Sequence, residues 1–332
     1  MGNEELGAFY YDIGDYFSAS KAYTRMREYC TTPKHVSELS QKLLLVAIAQ
    51  GNWMAVTTNV YKIQNLGLKP EDKSKISPLL APLLGLADMA SGNYRSAAIH
   101  FLATDPAFIN LEPSANGVHL NRQVLTANDI ATYGGLCALA SMDRAELSNA
   151  VLDSASFRNF LELEPHIRRA VTCFCGSKYT QALAILESYR IDYLLDIYLQ
   201  NHVKDIYSQI RRKSVVAYFR PFSRVELSVM AEAFSTTSEE LEEDLVEMIR
   251  AGFLDARVDL VERVLVATKE DQRAKVHERA LKMAGEHEKA LRLRLFKINM
   301  QAAGLEMKAP KQSAFDGRGM GMAGGRRGKD DL

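Results

Sequence analysis

The sequence has few cysteines and no excess of charge of either sign, and both features limit the possible functions. Its 332 residues include 4 cysteines, 41 Lys and Arg residues, and 41 Asp and Glu residues. Four cysteines are too few for the disulfide framework of a secreted scaffold, so we expect reduced thiols in a nuclear or cytosolic protein. A net charge of zero argues against a chain-wide field that would bind nucleic acid.

Long apolar runs are missing as well. No stretch reaches the ~18–20 apolar residues that a bilayer crossing needs, and the chain does not start with a basic segment followed by an apolar one. We therefore expect neither a membrane span nor a secretion signal.

The motifs of common catalytic and metal sites are also missing. Neither a Gly-x-x-x-x-Gly-Lys-Ser/Thr phosphate loop nor a Gly-x-Ser-x-Gly elbow occurs. The fourth residue after His277 is Leu281, where a zinc protease needs a second histidine. Cys173 and Cys175 have no second cysteine pair with which to complete a zinc site. The sequence therefore favours a protein that is not an enzyme and has no cofactor and no metal.

One pattern of apolar residues recurs along the first 200 residues of the chain. It consists of an aromatic residue, a small or apolar residue three positions later and a larger one seven positions later. Its members are Tyr16, Ala19 and Tyr23; Trp53, Val56 and Val60; Tyr94, Ala97 and Phe101; and Tyr179, Ala182 and Leu186. These offsets lie on one face of a helix. A degenerate unit, with the aromatic residue lost, fits Arg144, Leu147 and Val151 in the longest gap.

Glycines stand in register with this pattern. Gly14, Gly51 and Gly92 lie two residues before the aromatic residue, and Gly176 lies three before. Glycine at such a position ends one helix and lets the chain reverse. The sequence therefore predicts a right-handed α-solenoid of TPR-like helical repeats over residues 1–200. We expect two interruptions, a charged loop over residues 69–78 and a surface excursion over residues 105–121.

Residues 201–268 predict a different module. In chain order the pattern indicates helices over 203–219, 223–234 and about 238–250, and then extended segments over 253–258 and 263–267. The first helix ends before Pro221, and Thr237 with Glu240 forms a capping box for the third. Three helices followed by a hairpin are the order of a winged helix.

The third helix of this module is too acidic to bind DNA. Its only basic residue is Arg250, and its acidic residues are Glu239, Glu240, Glu242, Glu243, Asp244 and Glu247. Binding to a polyanion needs cations that displace counterions, so we expect no DNA partner. The basic cluster of Arg211, Arg212 and Lys213 lies one helix earlier. Two interpretations stay open for it, a solvated face and a contact with phosphate or an acidic partner.

A long helix and a tail complete the sequence. Residues 269–304 predict a helix of ~50 Å, longer than a domain of this size can cover. It carries two apolar stripes, of Val276, Ala280, Met283 and Ala284 and of Leu291, Leu295, Ile298 and Ala302. Part of this helix is therefore expected to pack against another helix. Residues 305–332, which follow it, are rich in Gly and Arg and are predicted to be disordered.

Helical repeats, a winged helix and a terminal helix together resemble the PCI-domain family. Members of that family scaffold the proteasome lid, the COP-9 signalosome and translation initiation factor three. Several strings are similar to its signalosome subunit-1 branch, namely YCTTPKHV (29–36), TYGGLCALASMDRAEL (132–147), FLELEP (160–165), YSQIRRKSVVAYFRPF (207–222), AFSTTSEELEEDL (233–245) and GFLDARVD (252–259). The alternatives are the paralogous proteasome-lid subunit Rpn-seven and a nucleic-acid-associated PCI protein.

The resemblance implies a non-catalytic scaffold subunit in the nucleus and cytoplasm. Its complex would remove Nedd8 from cullin-RING ubiquitin ligases, with the isopeptidase activity in another subunit. The implied partners are other PCI subunits and the MPN subunits of the signalosome, with cullin-RING ligases reached indirectly and with no DNA and no membrane. When isolated, the chain would expose surfaces through which it can self-associate.

Two partner-binding surfaces follow from this resemblance. We expect the edge of the winged-helix hairpin, near Phe253, Leu254, Val264 and Leu265, to pack against a neighbouring PCI subunit. We expect Leu291, Leu295, Ile298 and Ala302 to join a helical bundle with other subunits. The alternative for this stripe is that it folds back onto its own winged helix.

Overall fold

The structure, a computed structural model, describes residues 2–111, 120–234, 236–268 and 272–305. Most of these residues are helical, and three short strands form one sheet. The chain divides into two units, residues 1–268 and 269–332. The fold is therefore mainly α, as the sequence predicts.

Consecutive helices of the first unit pack against one another. The first six are α1 (Gly2–Ile13), α2 (Tyr16–Met26), α3 (Pro33–Ala49), α4 (Trp53–Gln64), α5 (Pro70–Ala90) and α6 (Tyr94–Leu102). The next seven are α7 (Leu120–Gln123), α8 (Ala127–Ser141), α9 (Arg144–Leu147), α10 (Ala155–Leu161), α11 (Pro165–Cys175), α12 (Tyr179–Ser188) and α13 (Arg190–Leu195). Each helix from α1 to α5 contacts the next, α5 contacts α6, and α6 contacts α8. This chain of neighbours is the helical-repeat region.

The recurring aromatic residue marks the start of a helix in every unit of the pattern. Tyr16, Trp53, Tyr94 and Tyr179 are the first residues of α2, α4, α6 and α12. The residues three and seven positions later are all buried in the core. The degenerate unit also exists, because Arg144 begins α9. A π-helical turn over Ser148–Leu152 then continues α9.

The turns before α2, α4, α6 and α12 each have one residue in the left-handed region. Gly14, Gly51 and Gly92 have φ of 88°, 67° and 80°. In the last repeat Ser177 takes this position with φ of 61°, while Gly176 has an ordinary φ of −80°. In these four repeats the left-handed residue lies two positions before the aromatic residue, even where the glycine is displaced by one.

The predicted loop over residues 69–78 is wrong. These residues form the first part of α5, which begins at Pro70. Proline suits the first turn of a helix because its missing N–H has no intrahelical partner there. Pro78 and Pro82 lie inside the helix and are buried. Each removes a backbone hydrogen bond, and packing of α5 against α4 and α6 compensates for that loss.

The predicted excursion over residues 105–121 is only partly covered by the structure. Residues 106–110 form a short 3₁₀ turn, and Phe108 in that turn is buried against the core. Residues 112–119 lie outside the described part of the chain.

Helix α8 is the central helix of the first unit. A capping box of Thr126 and Asp129 starts it. Two glycines let other helices approach its backbone closely. A Cβ at Gly135 would stand 2.2 Å from Cγ2 of Ile167, and one at Gly134 would stand 3.0 Å from the Phe157 ring. Small residues at these positions therefore set the spacing between α8, α10 and α11.

The second module is a winged helix, as predicted, with one additional strand. Its elements are α14 (Val203–Phe219), β1 (Arg224–Glu226), α15 (Leu227–Phe234), α16 (Ser238–Arg250), β2 (Ala256–Asp259) and β3 (Val264–Ala267). The sequence assigned residues 223–226 to a helix, and this assignment is wrong. Val225 pairs with Leu265 and is buried, while Arg224 and Glu226 on either side are exposed. This alternation is that of a half-buried strand.

The repeats and the winged helix share one hydrophobic core. The ring of Tyr179 on α12 stacks 6.5 Å from the ring of Phe234 on α15, and Tyr218 on α14 meets Phe234 edge-on at 5.5 Å. The hydroxyl of Thr180 donates a hydrogen bond to the carbonyl of Ala233. The last repeat therefore fixes the position of the winged helix.

The second unit is described as a single helix, α17 (Gln272–Ala302). Within it Arg292 and Glu288, one turn apart, form an ion pair of 2.6 Å. The predicted long helix is thus present over the described residues.

Candidate interaction surfaces

The sheet of the winged helix has two edge strands, β1 and β2, because β3 lies between them. Both pairings are antiparallel. The backbone groups of β1 and β2 that face away from β3 are therefore the ones that another strand can pair with.

The structure places the four predicted edge residues differently. Val264 and Leu265 lie on the central strand and are 6% and 0% exposed, and Leu254 is 6% exposed. All three side chains are therefore buried, and Leu254 and Leu265 belong to the hydrophobic core. Phe253 alone of the four is exposed, at 59%. The edge placement is thus corrected, while partner binding near these residues stays a prediction.

The tip of the hairpin carries an apolar pair that the sequence reasoning missed. Leu260 and Val261, between β2 and β3, are 68% and 94% exposed. The turn is rigid, since Oδ1 of Asp259 accepts hydrogen bonds from the backbone N–H of Val261 at 3.0 Å and of Glu262 at 3.3 Å. The sequence signal for this surface was two apolar residues in a turn between the charged residues Asp259 and Glu262.

The basic cluster of α14 faces the acidic helix α16. Arg211 Nε lies 3.0 Å from Oδ2 of Asp244, and Arg212 Nη2 lies 2.9 Å from Oε1 of Glu247. Both pairs are partly exposed, so each stabilises the fold by only about 0–1 kcal/mol. Both arginines are nevertheless already paired with carboxylates of the same module. The outer side of α16 keeps its remaining carboxylates, which is unfavourable for contact with a polyanion.

Lys213, the third member of the cluster, is partly buried. Its Nζ donates hydrogen bonds to the carbonyl of Leu139, at 2.8 Å, and to that of Met142. It also lies 5.0 Å from the centre of the Phe174 ring. Burial lowers the pKa of Lys213 to about 8. Because these carbonyls end α8, the ammonium caps that helix and links it to α14.

A buried polar network joins α8, α11 and α13. The Tyr133 hydroxyl donates to Asp196 at 2.7 Å. His166 Nε2 lies 2.7 Å from the Tyr193 hydroxyl, and His166 Nδ1 lies 3.2 Å from Oε2 of Glu164. These residues combine a carboxylate, an imidazole and a phenol, the groups of an acid–base site.

Access and protonation argue against catalysis by this network. The side chain of His166 is 8% exposed, and the ring of Tyr189 stacks on it at 3.9 Å. Burial lowers the pKa of His166, so the ring is neutral at pH 7. A neutral ring has one donor and one acceptor, which fits Nδ1–H donating to Glu164 and Nε2 accepting from Tyr193. The network therefore holds helices together.

Helix α17 exposes apolar side chains on two opposite faces. The predicted stripe is exposed, with Leu291 at 44%, Leu295 at 60% and Ile298 at 57%, and with Ala302 exposed as well. At about 100° per residue, Leu293, Phe296 and Met300 lie on the opposite face, where Leu293 and Phe296 are 70% and 63% exposed. Arg294 and Lys297 lie between the faces. A helix that is apolar on two sides is suited to a bundle with several neighbours.

In the described part of the chain, no group of three or more His, Cys, Asp and Glu side chains could hold a metal ion. None of the described helices has the length and apolar character needed to cross a bilayer.

Helical repeats that run directly into a winged helix define the class of PCI-domain proteins. Residues 186–269 match the family described as PCI domain, and residues 1–150 match the family described as 26S proteasome subunit RPN7. Together the two matches cover most of the repeat region and the whole winged helix.

Similar proteins define the family more narrowly. The COP9 signalosome complex subunit 1 of Emericella nidulans is 48% identical over 93% of this chain and 62% of the relative. Those of Arabidopsis thaliana and Neurospora crassa are 39% and 36% identical, over 90% and 94% of this chain and 66% and 68% of the relative. The chain belongs to the COP9 signalosome subunit 1 family, which confirms the resemblance. It spans about two thirds of the length of these relatives.

Proposed function

We propose that this chain is a non-catalytic scaffold subunit of the COP9 signalosome, supporting removal of Nedd8 from cullin-RING ubiquitin ligases. The observation that carries the proposal is the large exposed apolar surface on α17 and at the hairpin tip, in a chain of the signalosome subunit 1 family. Such surface in a soluble assembly marks contacts with other chains.

The winged helix is proposed to bind a neighbouring PCI subunit. Phe253, Leu260 and Val261 supply exposed apolar contacts next to the edge strand β2. A strand of the neighbour can pair with this edge while its side chains cover the hairpin tip. Leu254 and Leu265 belong to the hydrophobic core and Val264 is buried as well, so these residues hold the hairpin in place.

The terminal helix is proposed to enter a helical bundle with other PCI subunits and with the MPN subunits. Burial of one Leu or Ile side chain stabilises an assembly by about 1.5–3 kcal/mol. The stripe of Leu291, Leu295 and Ile298 therefore supplies several kcal/mol when a partner helix covers it. The opposite face of Leu293 and Phe296 offers a contact for a second neighbour.

Catalysis is proposed to lie in another subunit, a zinc isopeptidase of the MPN type. The residues of this chain that combine acid and base groups, around His166, are covered by Tyr189 and serve packing. Cullin-RING ligases are then reached through the assembly. Nucleus and cytoplasm are the proposed compartments.

The alternative is a paralogous subunit of the proteasome lid. The match of residues 1–150 to a family described by a proteasome subunit favours it. Both functions are scaffolding, so partner identity, rather than activity, separates them.

A double substitution on α17 tests the scaffold function. Leu295→Asp with Ile298→Asp places two carboxylates in the apolar stripe. We expect the purified chain to keep its thermal midpoint, because both side chains are exposed, and to lose co-purification with partner subunits at least tenfold. The matched control is Met54→Asp with Tyr61→Asp, which changes two exposed apolar residues of α4 and should retain the partners. Normal assembly of the α17 variant would contradict the bundle assignment.

A further inference from the structure

The connection between α13 and α14 packs along several helices of the repeat region. It consists of residues 196–202, which form turns rather than a helix or a strand. The side chains of this segment, the strap, contact α4, α6 and α8. Because the strap runs directly into α14, it links these three helices to the first helix of the winged helix.

Asp196 anchors the first end of the strap to α8. The Tyr133 hydroxyl donates to its Oδ2 at 2.7 Å, and its Oδ1 accepts from the backbone N–H of Tyr198 at 2.9 Å and of Leu199 at 3.0 Å. Burial and the hydrogen bond to Asp196 raise the pKa of Tyr133, so the phenol keeps the proton that it donates. One carboxylate thus holds both the turn of the strap and its contact with α8.

Two of the recurring aromatic residues anchor the rest of the strap. The ring of Tyr198 meets the ring of Trp53, the first residue of α4, edge-on at 6.3 Å. His202 Nδ1 lies 3.2 Å from the hydroxyl of Tyr94, the first residue of α6. The recurring aromatic position therefore does more than begin a repeat helix, because in these two repeats it also holds the strap.

Much of the strap faces solvent. Ile197 is 81% exposed, and Gln200 and Asn201 are exposed as well. Among the seven strap residues, all of which the structure describes, only Leu199 is fully buried. Segments with few buried side chains open at the low end of the range of local unfolding free energies. The strap can therefore open while the core beneath it stays folded.

We propose that the strap is a releasable coupling between the winged helix and the repeats that contain α4 and α6. When the strap is closed, α14 and these helices move together, since one short segment is fixed to all of them. When it opens, α4 and α6 gain freedom relative to α14. A partner that binds the winged helix and favours one of these states changes the mobility of repeats it does not touch. The proposal concerns motion within the chain and is independent of the scaffold function.

Hydrogen exchange of the purified full chain, followed by mass spectrometry, tests the strap. Tyr133→Phe keeps the ring and removes the donor to Asp196, whereas Tyr94→Phe removes the hydroxyl beside His202 at the other end. Each variant should accelerate exchange about fivefold, the effect of one lost hydrogen bond, over all of residues 196–202. The same acceleration is expected in α4, which carries neither substitution, because Trp53 loses its contact when the strap opens.

The matched control is Tyr207→Phe. It removes a phenol hydroxyl that donates to the Leu186 carbonyl at 2.6 Å and so bonds α12 instead of the strap. This variant should leave exchange in α4 unchanged. Acceleration confined to the end of the strap next to each substitution, or exchange in α4 equal to that of the native chain, would overturn the proposal. Should Tyr133→Phe not fold, Tyr94→Phe gives the same measurement on α4.

Discussion

At the residue scale, one position in the turn before α2, α4, α6 and α12 adopts a left-handed backbone conformation. The sequence pointed to glycine there, and at Gly14, Gly51 and Gly92 the left-handed φ explains why. It misplaced the turn of the last repeat, because Gly176 precedes the left-handed residue and Ser177 occupies it. A residue pattern locates the turn, while the backbone angle of each residue depends on how the next helix packs.

Substitutions at this position should therefore have opposite effects in two repeats. Ser177→Gly removes the strain of a left-handed L-residue and should raise the free energy of unfolding by about 0.5–1 kcal/mol. The lost hydrogen bond from Arg144 is exposed and offsets only part of the gain. Gly92→Ser should lower that free energy by about 1 kcal/mol. Urea denaturation measures both, and a destabilised Ser177→Gly variant would contradict the turn assignment.

A second residue-scale effect concerns His166 and pH. Burial lowers its pKa in the folded state below the ordinary 6.5, so the unfolded chain binds more protons there as the pH falls below 6.5. The His166 contribution to stability is thus present above pH 6.5 and is lost below it. Burial raises the pKa of Glu164, which acts in the opposite direction at lower pH.

The variant His166→Gln keeps a polar side chain and removes this titration. The drop in unfolding free energy between about pH 7.5 and 5.5 should be smaller in the variant than in the native chain. Denaturation at both pH values measures the two drops. Equal drops would show that His166 is not the neutral partner of Tyr193 and Glu164.

At the scale of elements, periodicity predicted most of the helices and missed what depends on neighbours. The repeat helices were predictable because their buried faces repeat at offsets of three and seven. Residues 69–78 were predicted as a loop because proline usually breaks a helix. In the structure Pro70 begins α5, and Pro78 and Pro82 lie on the buried face of that helix. Strand β1 has only three residues, and its pairing with β3 lies about 40 residues away along the chain, beyond any local pattern.

Two glycines in helices illustrate the difference between intrinsic preference and packing. Gly135→Ala should lower the free energy of unfolding by about 1–3 kcal/mol, because the new methyl group overlaps Ile167. Gly285→Ala on α17 meets open space and should increase helicity, with a gain of up to about 1 kcal/mol. Circular dichroism during urea denaturation measures both. A stabilised Gly135→Ala variant would show that α8 and α11 are not so close.

At the scale of the whole molecule, the sequence predicted the architecture and only part of the interaction surface. The stripe of Leu291, Leu295 and Ile298 on α17 is exposed as expected, because a single amphipathic helix can be read from its spacing. The hairpin residues were misplaced, because which strand of a sheet is central depends on pairing. The exposure of Leu260 and Val261 at the tip became visible only in the structure.

The central claim is that this chain assembles other subunits through surfaces it does not cover itself. Purification of the tagged full chain under native conditions, followed by mass spectrometry of the bound subunits, tests it most directly. We expect stoichiometric recovery of the PCI and MPN subunits of the signalosome. Recovery of the proteasome lid, or of the chain with no stoichiometric partner, would contradict it.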